Sequence, residues 1–136
     1  MRYTLLSAIN TKGVVCYQIF DKSVNGEIYK QFIDNNKNLF INKIIYHDNV
    51  RFHHSKILKK YCTEKSITLK YTPAYTPEFN PIELFFSTVK KYYKKLNHVN
   101  LINDIDESIK YTNDNINFKN YYDHSYKFIQ QYKNLQ

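Results

Sequence analysis

Tryptophan is absent from this chain of 136 residues, and it holds only two cysteines, two glycines and three prolines. Cys16 and Cys62 lie far apart and at no metal-ligand spacing, which excludes a disulfide framework and the usual cysteine zinc site. Both are expected to be buried free thiols in a reducing compartment. With so little glycine and proline, no flexible linker or internal repeat stands out, and the length suits one domain. No apolar run reaches the roughly 20 residues that a membrane helix needs. No signal peptide opens the chain either, so the sequence predicts a soluble, intracellular protein without membrane attachment. Arginine is nearly missing, at Arg2 and Arg51 only, so lysine carries almost all the basic charge. Lysine, asparagine, isoleucine, tyrosine and phenylalanine are abundant instead, a skew that AT-rich coding also produces.

What is present is a net charge of +8, a pI near 9.3 and 43% hydrophobic residues. The apolar fraction suffices for a core. The charge favours a polyanionic partner such as DNA, although mutational bias is an equally good source for part of it. The five histidines include the pair His53-His54 but form no zinc-spaced tract.

Periodicity orders the chain as hairpin, helix, strand, helix, strand, helix. Tyr3 to Ile9 and Val14 to Phe20 read as strands around the turn Asn10-Thr11-Lys12-Gly13. Glu27 to Asn35 carries Ile28, Phe32 and Ile33 at helical spacing. Lys43 to Asp48 is a short apolar run of the kind buried within a sheet. His54 to Glu64 reads as a helix with Ile57, Leu58 and Tyr61 on one face and Lys56, Lys59 and Lys60 on the other. Ile67 to Tyr71 is a further strand, followed by a proline-marked loop from Thr72 to Phe79. Asn80 is a natural N-cap, Pro81 suits the first helical position, and Glu83 falls at the third. Ile82, Phe85, Phe86, Val89, Tyr93 and Leu96 then make an apolar stripe to about residue 96. Leu101, Ile102, Ile105 and Ile109 predict another helix, and Tyr121 to Tyr132 a last one. The domain is thus of mixed α/β class.

Two carboxylates carry chemical promise. Asp48 ends an apolar strand, and in open α/β sheets sites form beyond the carboxyl ends of strands. A turn or the cap of the following helix is a competing use for Asp48-Asn49. Glu83 has its own competing use, as half of a capping box that complements the helix dipole. Its helical face nevertheless continues through Ser87, Lys90 and Lys94, which suits a phosphate backbone laid across a metal site. The lysine face of the helix after Asp48, with Lys56 and Lys59, would extend such a surface.

The run Asp48-Asn49-Val50-Arg51-Phe52-His53, the loop Pro73-Ala74-Tyr75-Thr76-Pro77-Glu78-Phe79-Asn80-Pro81-Ile82-Glu83 and the 34 residues between Asp48 and Glu83 together resemble the DDE transposases of the mariner superfamily and its bacterial insertion-sequence relatives. The resemblance spans roughly residues 3 to 96. It implies a ribonuclease-H-like fold, a mixed sheet with flanking helices, and two Mg²⁺ or Mn²⁺ ions held by three acids for DNA strand cleavage and transfer. In that reading Asp48 and Glu83 are catalytic metal ligands. Asn49 and His53 match the motif and would shape the site or contact DNA, while Tyr75, Asn80 and Pro81 set the loop and cap that place Glu83. Arg51, Lys56, Lys59, Lys90 and Lys94 would meet the DNA. Residues 1–98 are then a partial DDE catalytic domain, and 99–136 a helical C-terminal extension.

The family's first aspartate lies on a strand before the hairpin, and this chain opens at the hairpin, so the expected domain is truncated at its N-terminus. Asp21 and Asp34 do not match that motif. The missing strand is central, between the hairpin and the strand of Asp48, so both edges would lack a shared partner. A second chain that supplies the strand and its aspartate, a homodimer, a remnant that only binds DNA and a rearranged sheet are the arrangements this leaves open.

Overall fold

Asn10 makes the first turn. In the computed structural model, which describes residues 3–47, 55–73 and 76–135 with side chains through Lys127 in the last helix, its Oδ1 accepts the Lys12 and Gly13 N–H groups at 2.9 and 3.1 Å. This Asx turn joins β1 (Thr4–Asn10) to β2 (Gly13–Phe20). There follow α1 (Gly26–Asn35), α2 (Lys37–Phe40), β3 (Ile44–His47), α3 (Lys56–Glu64), β4 (Thr68–Tyr71), a 3₁₀ turn (Pro77–Phe79), α4 (Pro81–Tyr93), α5 (Leu101–Asn115) and α6 (Lys119–Leu135). The described strands form two two-stranded sheets, β1–β2 and β3–β4. The chain divides into two units, Met1–Ser7 with Val15–Pro77, and Ala8–Val14 with Glu78–Gln136.

In the first unit β3 and β4 run parallel, with Ile44 opposite Thr68 and His47 opposite Tyr71. Parallel neighbours need a crossover, and α3 provides it. Ser55 caps α3 by accepting the Leu58 N–H at 3.1 Å. Asn25 does the same for α1 through Ile28 at 2.9 Å. The two helices pack on each other, burying Tyr29, Phe32 and Ile33 from α1 and Leu58, Tyr61 and Cys62 from α3. Two expectations change here. Ile57 is 66% exposed, and Cys62 fills the inner face in its place, because 58, 61 and 62 share a helical stripe that 57 only borders. β3 is not buried on both faces: Ile44 and Tyr46 are 66% and 42% exposed, since side chains alternate along a strand and theirs lie on the face opposite His47, which meets Tyr29 of α1. Of the two thiols Cys62 is buried and Cys16 only half-buried, and desolvation pushes both up to about 11.

A hydrogen bond joins these two helices. Tyr61 Oη donates to Asp34 Oδ1 at 2.6 Å. That bond is the main reason the Asp34 carboxyl sits below its ordinary range, with Lys37, Lys30 and Lys65 adding to it. Burial first, then Asp34, raises the Tyr61 phenol. A depressed carboxylate contributes stability above its unfolded pKa and loses it as pH falls through the folded one; a raised phenol contributes below its unfolded pKa and loses it as pH rises. Tyr61→Phe is therefore expected to cost most near neutral pH and progressively less toward about pH 3, read from thermal melts of both proteins across that range.

In the second unit α4 packs on α5 and α6, and Phe85, Val89, Ile109, Phe118 and Tyr121 form its core. Tyr92 stacks on Tyr111 with centroids 4.0 Å apart, and Thr88 Oγ1 lies 2.6 Å from Tyr121 Oη. On α5 the buried small residues Ser108 and Thr112 satisfy their hydroxyls on the carbonyls one turn back, Asp104 O at 2.7 Å and Ser108 O at 2.8 Å. The hairpin tip belongs to this unit. Asn113 Oδ1 accepts the Val14 N–H at 2.8 Å, and Tyr122 Oη donates to Ile9 O at 3.2 Å. Gly13 makes that seat possible: its φ is +147°, and an added Cβ would lie 2.5 Å from Asn113 Oδ1. Gly13→Ala is expected to cost about 1–3 kcal/mol, measured by chemical denaturation.

Candidate functional site

The helix that carries Glu83 starts where its local sequence says it must. Asn80 is 4% exposed, adopts extended backbone at φ −114°, ψ 114°, and its Oδ1 accepts the Ile82 N–H at 3.1 Å. Pro81 takes the first helical position, where its missing N–H costs nothing. The Glu83 N–H reaches Asn80 O at 3.1 Å. Glu83 is thereby held half-buried in the first turn of α4, at the positive end of the helix dipole. Phe79 and Phe85 anchor the two sides of this start, at 5% and 0% exposure. Ser87 and Lys90 follow along α4 and Lys94 caps its C-terminus, all exposed.

β3 ends at His47, the residue before Asp48. Asp48 itself, with Asn49, Arg51, His53 and Tyr75, lies outside the described residues. What is described is the strand end that leads to it. The His47 ring is 6% exposed, with Nδ1 2.8 Å from Tyr29 Oη of α1 and its centroid 4.5 Å from that of Tyr71 on β4. The His47 carbonyl accepts the Thr72 N–H at 2.9 Å. Burial, and to a lesser degree Cys62, raises the Tyr71 phenol. Lys59 Nζ lies 5.9 Å from the Tyr71 ring centroid, and Lys56 and Lys60 stand exposed beside it on α3. Because Ser55 caps α3, capping that helix is not a use for Asp48 or Asn49.

The two tyrosines around His47, Tyr29 and Tyr71, escaped sequence reasoning. Their one sequence signal is a histidine that ends an otherwise apolar strand run. Among the described residues no three His, Cys, Asp or Glu side chains gather into a metal site. Asp48 and Glu83, the two ligands expected from sequence, carry carboxylates, the donor type that suits a hard divalent cation. Asp34 and Asp21 supply no third donor of this kind: Asp34 accepts from Tyr61, and Asp21 is exposed just after β2.

Residues 1–106 match the family model of the DDE superfamily endonucleases. The chain belongs to that family. The solved structures it resembles agree on the fold of this DDE endonuclease chain. It superposes on the Mos1 transposase catalytic domain, solved with raltegravir and Mg, with a TM-score of 0.77 at 14% identity over 95% of this chain and 71% of that one. The catalytic domain of the Mos1 mariner transposase on its own gives 0.75 at 14% identity over 95% and 70%. The Mos1 mariner paired end complex with Mn gives 0.77 at 15% identity, covering 95% of this chain and 41% of that one. The fold is thus that of a transposase catalytic domain, ribonuclease-H-like, with mixed strands and flanking helices. No curated protein sequence matches the chain. Among the described residues no helix is long and apolar enough to cross a membrane.

Proposed function

We propose that this chain is part of a DDE transposase catalytic domain that cleaves and joins DNA strands with Mg²⁺ or Mn²⁺, and that Asp48 and Glu83 are its second and third acids. The observation that carries this reading is the family match over residues 1–106, which takes in both carboxylates at their 34-residue interval. Divalent ions, when bound, supply Lewis-acid stabilisation of the phosphoryl oxygens and activation of the attacking nucleophile. The chain's own part is placement. The Asn80 cap and Pro81 fix the first turn of α4, so Glu83 presents a carboxylate from a rigid helix end rather than from a loop. Lys90 on α4 and Lys94 at its C-cap, and Lys56 and Lys59 on α3 with Arg51 before it, neutralise DNA phosphates. Asn49 and His53 shape the surroundings of Asp48, and Tyr75 sets the loop before Asn80. A third acid, from the same polypeptide or from another, would complete the set.

The test is nicking of supercoiled plasmid in Mn²⁺ or Mg²⁺ by this chain, alone and with an added polypeptide bearing the upstream strand. Metal-dependent nicking that Asp48→Asn removes is the expected result. Nicking that survives Asp48→Asn, or none under either condition, would sink the catalytic reading. The exposed lysines favour one second reading, a DNA-binding module without chemistry. It predicts binding that weakens with salt and ignores metal.

A further inference from the structure

Among the described residues β4 is paired on one side only, with β3. The Thr68 N–H donates to Lys43 O at 3.1 Å and the Thr72 N–H to His47 O at 2.9 Å. Backbone groups alternate in direction along a strand, so residues 68 and 72 face β3 while the N–H and C=O of Leu69 face the other way. Leu69 there borders an open groove of about 740 Å³ between α3 and β4. Lys59 and Thr63 of α3 flank this groove, and Ile67 and Leu69 give it an apolar wall. At the amino ends of the two strands the Asn42 N–H donates to Ser66 O at 2.9 Å, which ties the strand starts together beside it.

An occupant of this groove has to meet three conditions. It must offer a donor and an acceptor to the Leu69 backbone, apolar groups to Ile67 and Leu69, and negative charge to Lys43 and Lys59, both exposed and both lining the groove. Between Ser55 and Pro73 there are five lysines and one acid, Glu64, so the surroundings repel a basic segment. A phosphodiester backbone meets only the charge condition, because it supplies acceptors and no donor. An extended acidic peptide meets all three when it adds to the sheet edge as a further strand. We propose that the outer edge of β4 docks an extended peptide segment rich in aspartate or glutamate, as a third strand on the β3–β4 sheet. Four or five residues, at about 3.3 Å each, span Thr68–Tyr71. Open edges are commonly guarded by lysine against casual pairing; here Lys70, exposed on β4, and the groove lysines turn that guard into a filter that admits acidic strands.

The test titrates the full chain with a fluorescein-labelled hexapeptide of alternating glutamate and valine, read by anisotropy and by backbone amide shifts. Saturable binding that shifts the Leu69 amide is expected. N-methylation of alternate peptide residues, in each of the two phases in turn, probes the strand pairing and leaves the protein untouched. One phase should weaken binding about 10-fold, near the net worth of a backbone hydrogen bond, and the other should leave it unchanged. Lys43→Glu and Lys59→Glu should each weaken binding about 5-fold, with thermal melts as the check on folding, and a lysine–valine peptide should not bind. The proposal is overturned if no acidic peptide binds, if both methylated peptides bind as the parent does, or if the lysine–valine peptide binds as tightly. It is overturned equally if the Leu69 amide responds to duplex DNA and not to peptide, or to protein concentration alone, since the edge then serves nucleic acid or a second copy of this chain.

Discussion

Phe85→Ala is expected to destabilise the protein by about 3–5 kcal/mol, the range for emptying a well-packed aromatic site. Phe85 has no exposed surface and lies in the second turn of α4, with ring centroids 5.6 Å from Phe86 and 5.7 Å from Phe118. Phe118 in turn sits edge-on to Tyr121 at 5.2 Å, so the cavity would open among several aromatic rings that cannot collapse together into it. Domains of this size are stable by only about 5–15 kcal/mol. Urea denaturation of the variant should therefore show a much lower midpoint, and the chain should populate unfolded forms at physiological temperature. Phe85→Leu, which refills most of the space, should recover more than half of the loss. An effect below about 1 kcal/mol for the alanine variant would mean that α4 is not anchored through this ring. The consequence reaches function, because Glu83 sits only two residues before Phe85 on the same helix.

The parts of the fold that were legible in the sequence are those set by local chemistry. The Asn80-Pro81 start of α4 is one: a cap side chain, a residue without an N–H and an apolar stripe all act within a single turn, and the observed bond from Ile82 N to Asn80 Oδ1 follows. The Asn10–Gly13 turn is another, since the asparagine side chain closes it on its own neighbours. What periodicity could not show are contacts between residues distant in sequence. Asn113 reaches Val14 and Tyr122 reaches Ile9 across about a hundred residues, and nothing in either local segment encodes the meeting. The Tyr29–His47–Tyr71 cluster is hidden for the same reason. Ile57 and Ile44 show the opposite failure. Both are strong apolar residues at plausible core positions, yet both are 66% exposed, because burial depends on which face a neighbouring element happens to cover. The candidate site divides in the same way. Glu83 could be placed from its own turn, whereas the surroundings of His47, the last residue of β3, depend on α1 and β4.

Glu83→Gln should separate the two uses that a glutamate has in the first turn of a helix. As a partner of the helix dipole it contributes about 0.3–1 kcal/mol, and glutamine keeps its size and part of its hydrogen bonding. Stability should therefore fall by no more than about 1 kcal/mol in a denaturant titration. As a metal ligand it cannot be replaced by glutamine, whose neutral amide offers one weak oxygen in place of an anionic pair. Mn²⁺ affinity at the site, and any metal-dependent nicking, should then drop by at least about 100-fold, beyond what loss of a mere supporting group causes. Glu83→Asp is the informative companion. It keeps the charge and the dipole term but withdraws the carboxylate by one methylene, and an intermediate loss of metal affinity with unchanged stability is the pattern expected of a ligand. Lys90→Ala and Lys94→Ala lie on the same face, so they should leave Mn²⁺ affinity alone and reduce the salt dependence of DNA binding by about one phosphate contact each. If Glu83→Gln lowers stability and nothing else, the carboxylate is a helix cap, and its spacing from Asp48 is a matter of ancestry rather than of present chemistry.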